Sequence, residues 1–578
     1  MNIRLTVAAA LAACASGATA EINLEIDLSA QPKKDIAKAN CNAGFGFNSA
    51  LEAFSLPSDG GNDIWFATNK YEAAQALKRA GATLMRIQCA SEWWRSRNEK
   101  TKSGYPRSNP KAAFDFYRQN GMKVFVCLDV WRRNRNRKQG EKYYVPAPQD
   151  AIDVIQWIVD NGYKDQVAGF ECGNEQYGLD FYPELAPLWK EVMLAARRIW
   201  GKDVKFGISL AELFELNPDI AHIRDRFLSN QDFKRDWTYD GAYFTAANFN
   251  KYSAKFVVAM KECGALDMVT HIVWHGYGAE TPYSCSYYGI QRWRNFIKAF
   301  PELEGKQWWL TEMRERSDED NHCQRFFRES LMMGHVTMMM LMQPEVDAFL
   351  HHQLTALSGA IYQSDGNSFY DQWYDGTQVE IEDFAAAYGR PHMEVGHMGE
   401  VYRIMNQALT THPLVLSHGT SKAHDVEDIY FTSARVTDQV YARRRAVKEG
   451  KPASAVDGEL EYMALVNRQR NRFCLLMVNS KQTGEKVTVR IPGRIFTAPL
   501  YRTVSCPARF LDVRAVPGEG KFWQQLSWED ADHGADVRAM EPYKGLQPKA
   551  DAFEVTIEPN TFQSVSCFLR TPPKPKGN

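Results

Sequence analysis

Between residues 42 and 410 short apolar runs alternate with amphipathic segments. The apolar runs have strand length, and the segments between them repeat their apolar positions at helical spacing. Eight runs read as strands: Gly44–Phe47, Thr83–Gln88, Lys123–Asp129, Val167–Cys172, Val204–Leu210, Val269–His275, Gln307–Thr311 and Val346–Leu350. Helices are predicted at Tyr71–Arg79, Pro148–Asn161, Glu184–Ile199, Tyr252–Cys263, Tyr288–Phe300, His322–Met342 and Glu400–Leu409. Eight strand–helix units predict a closed parallel (β/α)8 barrel, a TIM barrel, rather than an open sheet.

The period changes after residue 411. Tyr462–Asn467, Phe473–Asn479, Lys486–Ile491, Phe553–Ile557 and Phe562–Phe568 are short runs separated by turn residues, which predicts an antiparallel β-sandwich. Ile22–Leu28 alternates in the same way and is a further strand for that sandwich. The expected division is a signal segment at 1–20, a strand and linker at 21–41, the barrel at 42–410, the sandwich at 411–571 and a Pro-rich disordered tail at 572–578.

The N-terminus reads as an export signal, with Arg4, an apolar stretch from Leu5 to Ala13, and Ala18-Thr19-Ala20 ahead of Glu21. Leu11-Ala12-Ala13-Cys14 also resembles a lipobox, so a periplasmic or secreted protein and a lipoprotein anchored at Cys14 both stay open. No later stretch has the ~20 apolar residues of a membrane span. Lys plus Arg number 69 against 70 Asp plus Glu, so global charge does not point to nucleic acid. Eleven cysteines are scattered without a CxxC. Cys89, Cys127 and Cys172 read as buried hydrophobes, and neither a metal nor another cofactor is implied.

Barrel enzymes carry their chemistry at the C-terminal ends of the strands. Strand four ends Phe170-Glu171-Cys172-Gly173-Asn174-Glu175, and strand seven ends Trp308-Trp309-Leu310-Thr311-Glu312. Two carboxylates across a barrel mouth suit glycosidic cleavage, one as proton donor and one as nucleophile. The acid is expected to have its pKa raised by burial and by the second carboxylate. Arg86 near the end of strand two, His275 and Tyr277 closing strand six, and Asn174 supply donors around them. Singly, each residue has a plain reading: Asn174-Glu175 as a helix start, Glu312 as a surface acid, Arg86 as a barrel-wall ion pair.

Together and in this order, they resemble clan A of the retaining glycoside hydrolases. The resemblance implies Asn174-Glu175 as the pair carrying the acid/base and Glu312 as nucleophile. It also implies Arg86, His275 and Tyr277 as the nucleophile's support. Many clan members have a Trp on strand eight. Here that region reads Phe349-Leu350-His351-His352-Gln353, so a different sugar-site floor is implied. His351 and His352 are read as sugar contacts or core.

Residues 95 to 142 hold fourteen Lys or Arg against four Asp or Glu, a local net charge of +10. Much of this segment follows strands two and three, with Trp93, Trp94 and Trp131 among it. Arginines recognise carboxylates or sulfates and aromatic rings recognise sugar faces. Trp94, Trp131, Arg132, Trp309, His351 and His352 are therefore candidate substrate contacts. The leading expectation is an endo-acting hydrolase of an acidic or galactan-type glycan, uronic or sulfated, resembling agarases and porphyranases. The alternatives are an exo-acting β-xylosidase-, arabinofuranosidase- or glucuronidase-like enzyme, and a non-catalytic carbohydrate-binding barrel.

Overall fold

The computed structural model describes residues 21–36, 45–48, 81–87, 90–96, 110–133, 144–179, 181–211, 224–225, 228, 246–279, 289–316, 327–352, 361–363, 393–395, 397–420, 460–479, 481, 483–507, 535–543, 551–558 and 561–572. The export segment, Cys89, the predicted helix at Tyr71–Arg79 and the C-terminal tail from Pro573 lie outside them, as does the side chain of Trp93.

The eight strands close into a parallel barrel: Phe45–Asn48, Leu84–Ile87, Lys123–Leu128, Val167–Cys172, Phe206–Ser209, His271–Ala279, Gln307–Arg316 and Val346–His352. We refer to them as barrel strands one to eight. The first and eighth pair through Gly46 and Leu350, which completes the closure. Strands six and seven run well past the predicted ends because they stay paired into the mouth, as far as Ala279 beside Arg316.

Alternation sorts the side chains. Leu84, Phe125, Val273, Trp309, Ala348 and Leu350 fill the barrel interior. Met85, Ile87, Val124, Val126, Trp308 and Phe349 join the core shared with the surrounding helices. Trp309 plugs the lower barrel: its ring stacks on His271 at 4.0 Å, and its Nε1 donates to Asp347 Oδ2 at 3.0 Å. Gly169 and Gly207 face that ring so closely that a Cβ at either would collide with it.

The C-terminal part is a two-sheet sandwich. One sheet runs Lys34–Asp35, Leu414–Thr420, Leu460–Val466, Arg472–Asn479, Thr561–Arg570, Ile495–Pro507, Ala535–Tyr543. The other holds Glu21–Glu25, Glu485–Arg490 and Ala552–Ile557, with the N-terminal strand parallel to its neighbour. Leu414–Thr420 and Ala535–Tyr543 escaped the sequence reading. The first carries Ser-His-Gly, and the second mixes charges with Pro542, so neither shows a clean alternation. Ile495–Pro507 escaped it too; Pro499 and Pro507 break its pattern.

The central strands of the seven-stranded sheet, Leu460–Val466 and Arg472–Asn479, are buried on both faces. Tyr462, Ala464, Phe473 and Leu475 face the sandwich core. Met463, Leu465, Cys474 and Leu476 face the barrel helices Phe327–Met342 and His397–Thr411. Gly334 lets Phe562 approach the first of these helices. On this face Glu461, 0% exposed, meets two histidines. His335 Nδ1 and His418 Nε2 each lie 2.6 Å from one of its carboxylate oxygens. Cys127, Cys172, Cys474 and Cys567 are buried free thiols. No described helix is long and apolar enough to cross a membrane.

Candidate active site

Arg86 organises the barrel mouth from strand two. Its side chain is fully buried, which is tolerable for a cation only with well-placed anions around it. Glu171 supplies a forked partner: Nε contacts Oε1 at 2.8 Å and Nη2 contacts Oε2 at 2.7 Å. Nη1 donates to Glu312 Oε1 at 2.6 Å, and Nη2 also donates to Asn174 Oδ1 at 2.9 Å. Burial opposes the charge on Arg86, but Glu171 and Glu312 outweigh it and hold the guanidinium protonated.

Strand seven reaches this centre through a β-bulge. Leu310 pairs with Trp274, whereas His275 pairs with Glu312, so Thr311 is the extra residue. Leu310 and Met313 both pack outward in the helix-facing core. The bulge lets two consecutive residues turn inward: Glu312 to Arg86, and Thr311 to Glu171 and His275. A regular strand would have sent one of them to the opposite face.

Strand four ends in a tight turn. Gly173 has φ 84°, and a Cβ there would strike the Gln176 side chain, which is held by its Nε2 donating to Asp129 Oδ1 at 2.8 Å. Glu175 follows with φ 49°, ψ 29°, a left-handed conformation that costs a non-glycine residue about 1–2 kcal/mol. Such strain gathers at functional sites. It points the Glu175 carboxylate at His275, with Oε1 3.0 Å from Nδ1. One atom each from Glu175, His275 and Glu312 lies within 4.8 Å of the others.

These three could offer ligands to a cation. Arg86 already places a positive charge 2.6 Å from Glu312, so a second cation would be repelled there, and we assign no metal. The electrostatics of Glu175 differ from the expected raised pKa. Burial does raise it, and so does Glu312, but the hydrogen bond and charge of His275, with Arg86, carry the balance below the ordinary value. The Glu175 side chain is also 38% exposed, so burial is incomplete.

The structure thus brings Arg86, Asn174, Glu175, His275 and Glu312 together. Tyr277 lies on strand six, but its side chain is outside the described residues, as is that of His352. Two candidate contacts point away from the cleft. Trp309 is 0% exposed in the barrel interior, and His351 turns outward to Tyr402, because alternation sends its neighbour Leu350 inward. Trp94 packs on Trp157, with ring centroids 5.9 Å apart, between helices Ala90–Ser96 and Pro148–Asp160. Trp131 and Arg132 stand on a hairpin, Trp131–Arg133 with Tyr144–Pro146, beyond the end of strand three. Arg132 is exposed there, and Trp131 packs edge-on against Tyr144.

No protein-family model and no curated protein matches this chain. Among solved structures, a glucosidase from Croceicoccus marinus is similar over 95% of this chain and 99% of its own, at 10% identity and TM-score 0.51. An arabinofuranosidase of glycoside hydrolase family 51 from Xanthomonas axonopodis pv. citri is similar over the same shares, at 9% identity and TM-score 0.50. The likeness is one of fold.

Sequence reasoning passed over Glu171, Thr311, Gln176 and Asp129. Glu171 carried a usable signal: an acid inside a strand of otherwise apolar and small residues needs a buried cation, and Arg86 was the cation at hand. Thr311 carried none, because a bulge is not visible in one sequence.

Proposed function

We propose that this protein is a retaining O-glycoside hydrolase of clan A type, with Glu175 as acid/base and Glu312 as nucleophile. One observation carries the reading: carboxylate oxygens of the two glutamates lie within 4.8 Å of each other at the C-terminal mouth of a (β/α)8 barrel. Retaining enzymes hold their two carboxyl groups about 5–5.5 Å apart, whereas inverting ones need about 6.5–9.5 Å to admit a water. Glu312, ionised beside Arg86, attacks the anomeric carbon. Glu175 protonates the departing oxygen and then takes a proton from the water that releases the sugar. The glycosidases that share the fold are consistent with this chemistry.

For substrate we propose a β-linked anionic or galactan-type polysaccharide. Its support is the Trp131–Arg132 hairpin above the mouth. The rest of the basic segment supports it less. Arg95 pairs with Asp150, Lys111 with Asp115, and Arg118 lies over the Tyr163 ring. Lys123 begins strand three, at the end of the barrel away from the mouth.

Azide rescue tests the roles. With 2,4-dinitrophenyl β-glycosides of glucose, galactose, xylose and glucuronic acid as probes, azide should rescue Glu175→Ala and give a retained glycosyl azide. It should rescue Glu312→Ala with inversion. Exchanged products reverse the assignment, and two variants of undiminished activity on natural glycans place the site elsewhere.

A further inference from the structure

The hydrogen-bond chain behind Glu175 determines where its proton resides. It starts at Glu171, which is fully buried and gripped by the fork of Arg86. Thr311 Oγ1 lies 3.3 Å from Glu171 Oε2 and 3.1 Å from His275 Nε2. A hydroxyl has one proton to donate. Of its two neighbours, the buried carboxylate is the stronger acceptor, since hydrogen bonds to an ionised group are roughly twice as strong as neutral ones. Thr311 therefore donates to Glu171 and accepts from His275, which requires a proton on Nε2. A neutral His275 of that tautomer presents a bare lone pair at Nδ1. Yet Nδ1 lies 3.0 Å from Glu175 Oε1, and two lone pairs do not meet at that distance without a proton between them.

We infer that Glu171 and Thr311 are positioning residues that fix the tautomer of His275, so that His275 Nδ1 and Glu175 Oε1 together hold one proton, the one used in glycosidic cleavage. This rests on the acid/base role proposed for Glu175. The proton lies toward His275 while the two side chains touch, in keeping with the carboxyl held below its usual range. In the first step the Nδ1–H bond breaks and a Glu175 O–H bond forms. That bond then breaks in turn, and the proton joins the leaving oxygen as the C–O bond cleaves and Glu312 bonds to carbon. In the second step Glu175 takes a proton from water while the water oxygen displaces Glu312, whose bonding pair returns to its carboxylate. The pair is then reloaded.

Among the described residues, the charged groups facing this pair are Arg86 on strand two, with Cys127 of strand three beside it, Glu171 on strand four and Glu312 on strand seven. All belong to the barrel wall. Tyr277 of strand six lies beyond the described side chains.

Two measurements decide the matter. The first is a long-range 1H–15N spectrum of the full chain labelled at its 13 histidines, with His275→Gln as the assignment control. Neutral His275 should carry its proton on Nε2, and Thr311→Val should lose that preference. A wild-type proton on Nδ1 would mean that Thr311 donates to the ring, and the inference falls. This reading needs no substrate, so it stands or falls apart from the glycosidase assignment. It also decides the question on wild-type protein alone if Thr311→Val does not fold.

The second measurement is the pH profile of kcat/KM on phenyl and 2,4-dinitrophenyl β-glycosides. In Thr311→Val a freed ring can turn its own Nδ1–H to Glu175, so the pair no longer retains the extra proton. The alkaline limb should move to lower pH. The phenyl substrate should slow by on the order of 10-fold or more, with the dinitrophenyl one nearly spared. Thr311→Ser should restore both. An unmoved limb, or equal slowing of both substrates, overturns the relay.

Discussion

Of the described glutamates, Glu461 and Glu175 both lie within hydrogen-bond distance of histidines, and their surroundings could hardly differ more. Glu461 sits between the barrel and the sandwich, sealed from solvent, with a histidine 2.6 Å from each oxygen. Glu175 sits at the barrel mouth on a left-handed backbone, with one histidine at 3.0 Å and a side chain 38% exposed. The first has every partner fixed by packing on two sides. The second is held in a strained backbone by the turn around it, and its side chain is open to solvent. On the proposed assignment the same residue types serve cohesion in one place and chemistry in the other, and backbone strain together with access to solvent tells them apart.

The widest separation should appear in turnover. Glu312→Gln should lower kcat on the natural glycan by on the order of 10^4-fold or more, since an amide does not replace a nucleophile. Glu461→Gln should leave the kcat of folded protein within about 2-fold, because no reacting atom depends on it. Active-site titration with a slow glycosyl donor supplies the count of folded molecules for Glu461→Gln, which keeps the nucleophile. Equal losses would erase the contrast.

Stability should separate them the other way. Glu461→Ala strands two buried histidines, and removing one partner of a buried ionic cluster costs about 3–5 kcal/mol. A urea titration would show the midpoint fall; a midpoint within error of wild type would make the cluster incidental.

The pH dependence sharpens the point. Burial raises the Glu461 carboxyl, but its hydrogen bonds to His335 and His418 outweigh that and leave it below the ordinary carboxylate range. A group whose folded pKa is depressed stabilises the fold above its unfolded pKa and loses that contribution as pH falls through the folded one. Part of the acid-side loss of stability should therefore vanish in Glu461→Gln, as seen in unfolding free energies measured from pH 6 down to 3.

The smallest effect should have the opposite sign. Glu175→Gly relieves the left-handed strain and should raise stability by about 1 kcal/mol, while removing the proposed acid/base. A loss of stability in this variant would show that the Glu175 backbone is not strained.

The barrel was legible because its signals are local. Each strand is an apolar run, and the residues at its C-terminal end fall on the mouth wherever the helix that follows begins. Arg86, Asn174, Glu175, His275 and Glu312 could be placed on that basis. Direction was harder to read. Trp309 and His351 were expected in the cleft, but which face a strand residue takes depends on register, and strand seven is out of step with both neighbours. Glu461 was invisible for another reason: its partners are His335, 126 residues away, and His418, 43 away, and only the folded chain brings them near.

The sheet whose central strands are buried on both faces has a consequence for the history of such proteins. Modules that are traded between genes usually meet their hosts through a linker or a small polar seam. Here an apolar sheet face and a buried carboxylate are shared between the two parts. A foreign sandwich spliced behind residue 411 would leave His335 facing an unmatched surface. The two parts should therefore have been inherited as a pair, with substitutions at His335, His418 and Glu461 occurring together or not at all.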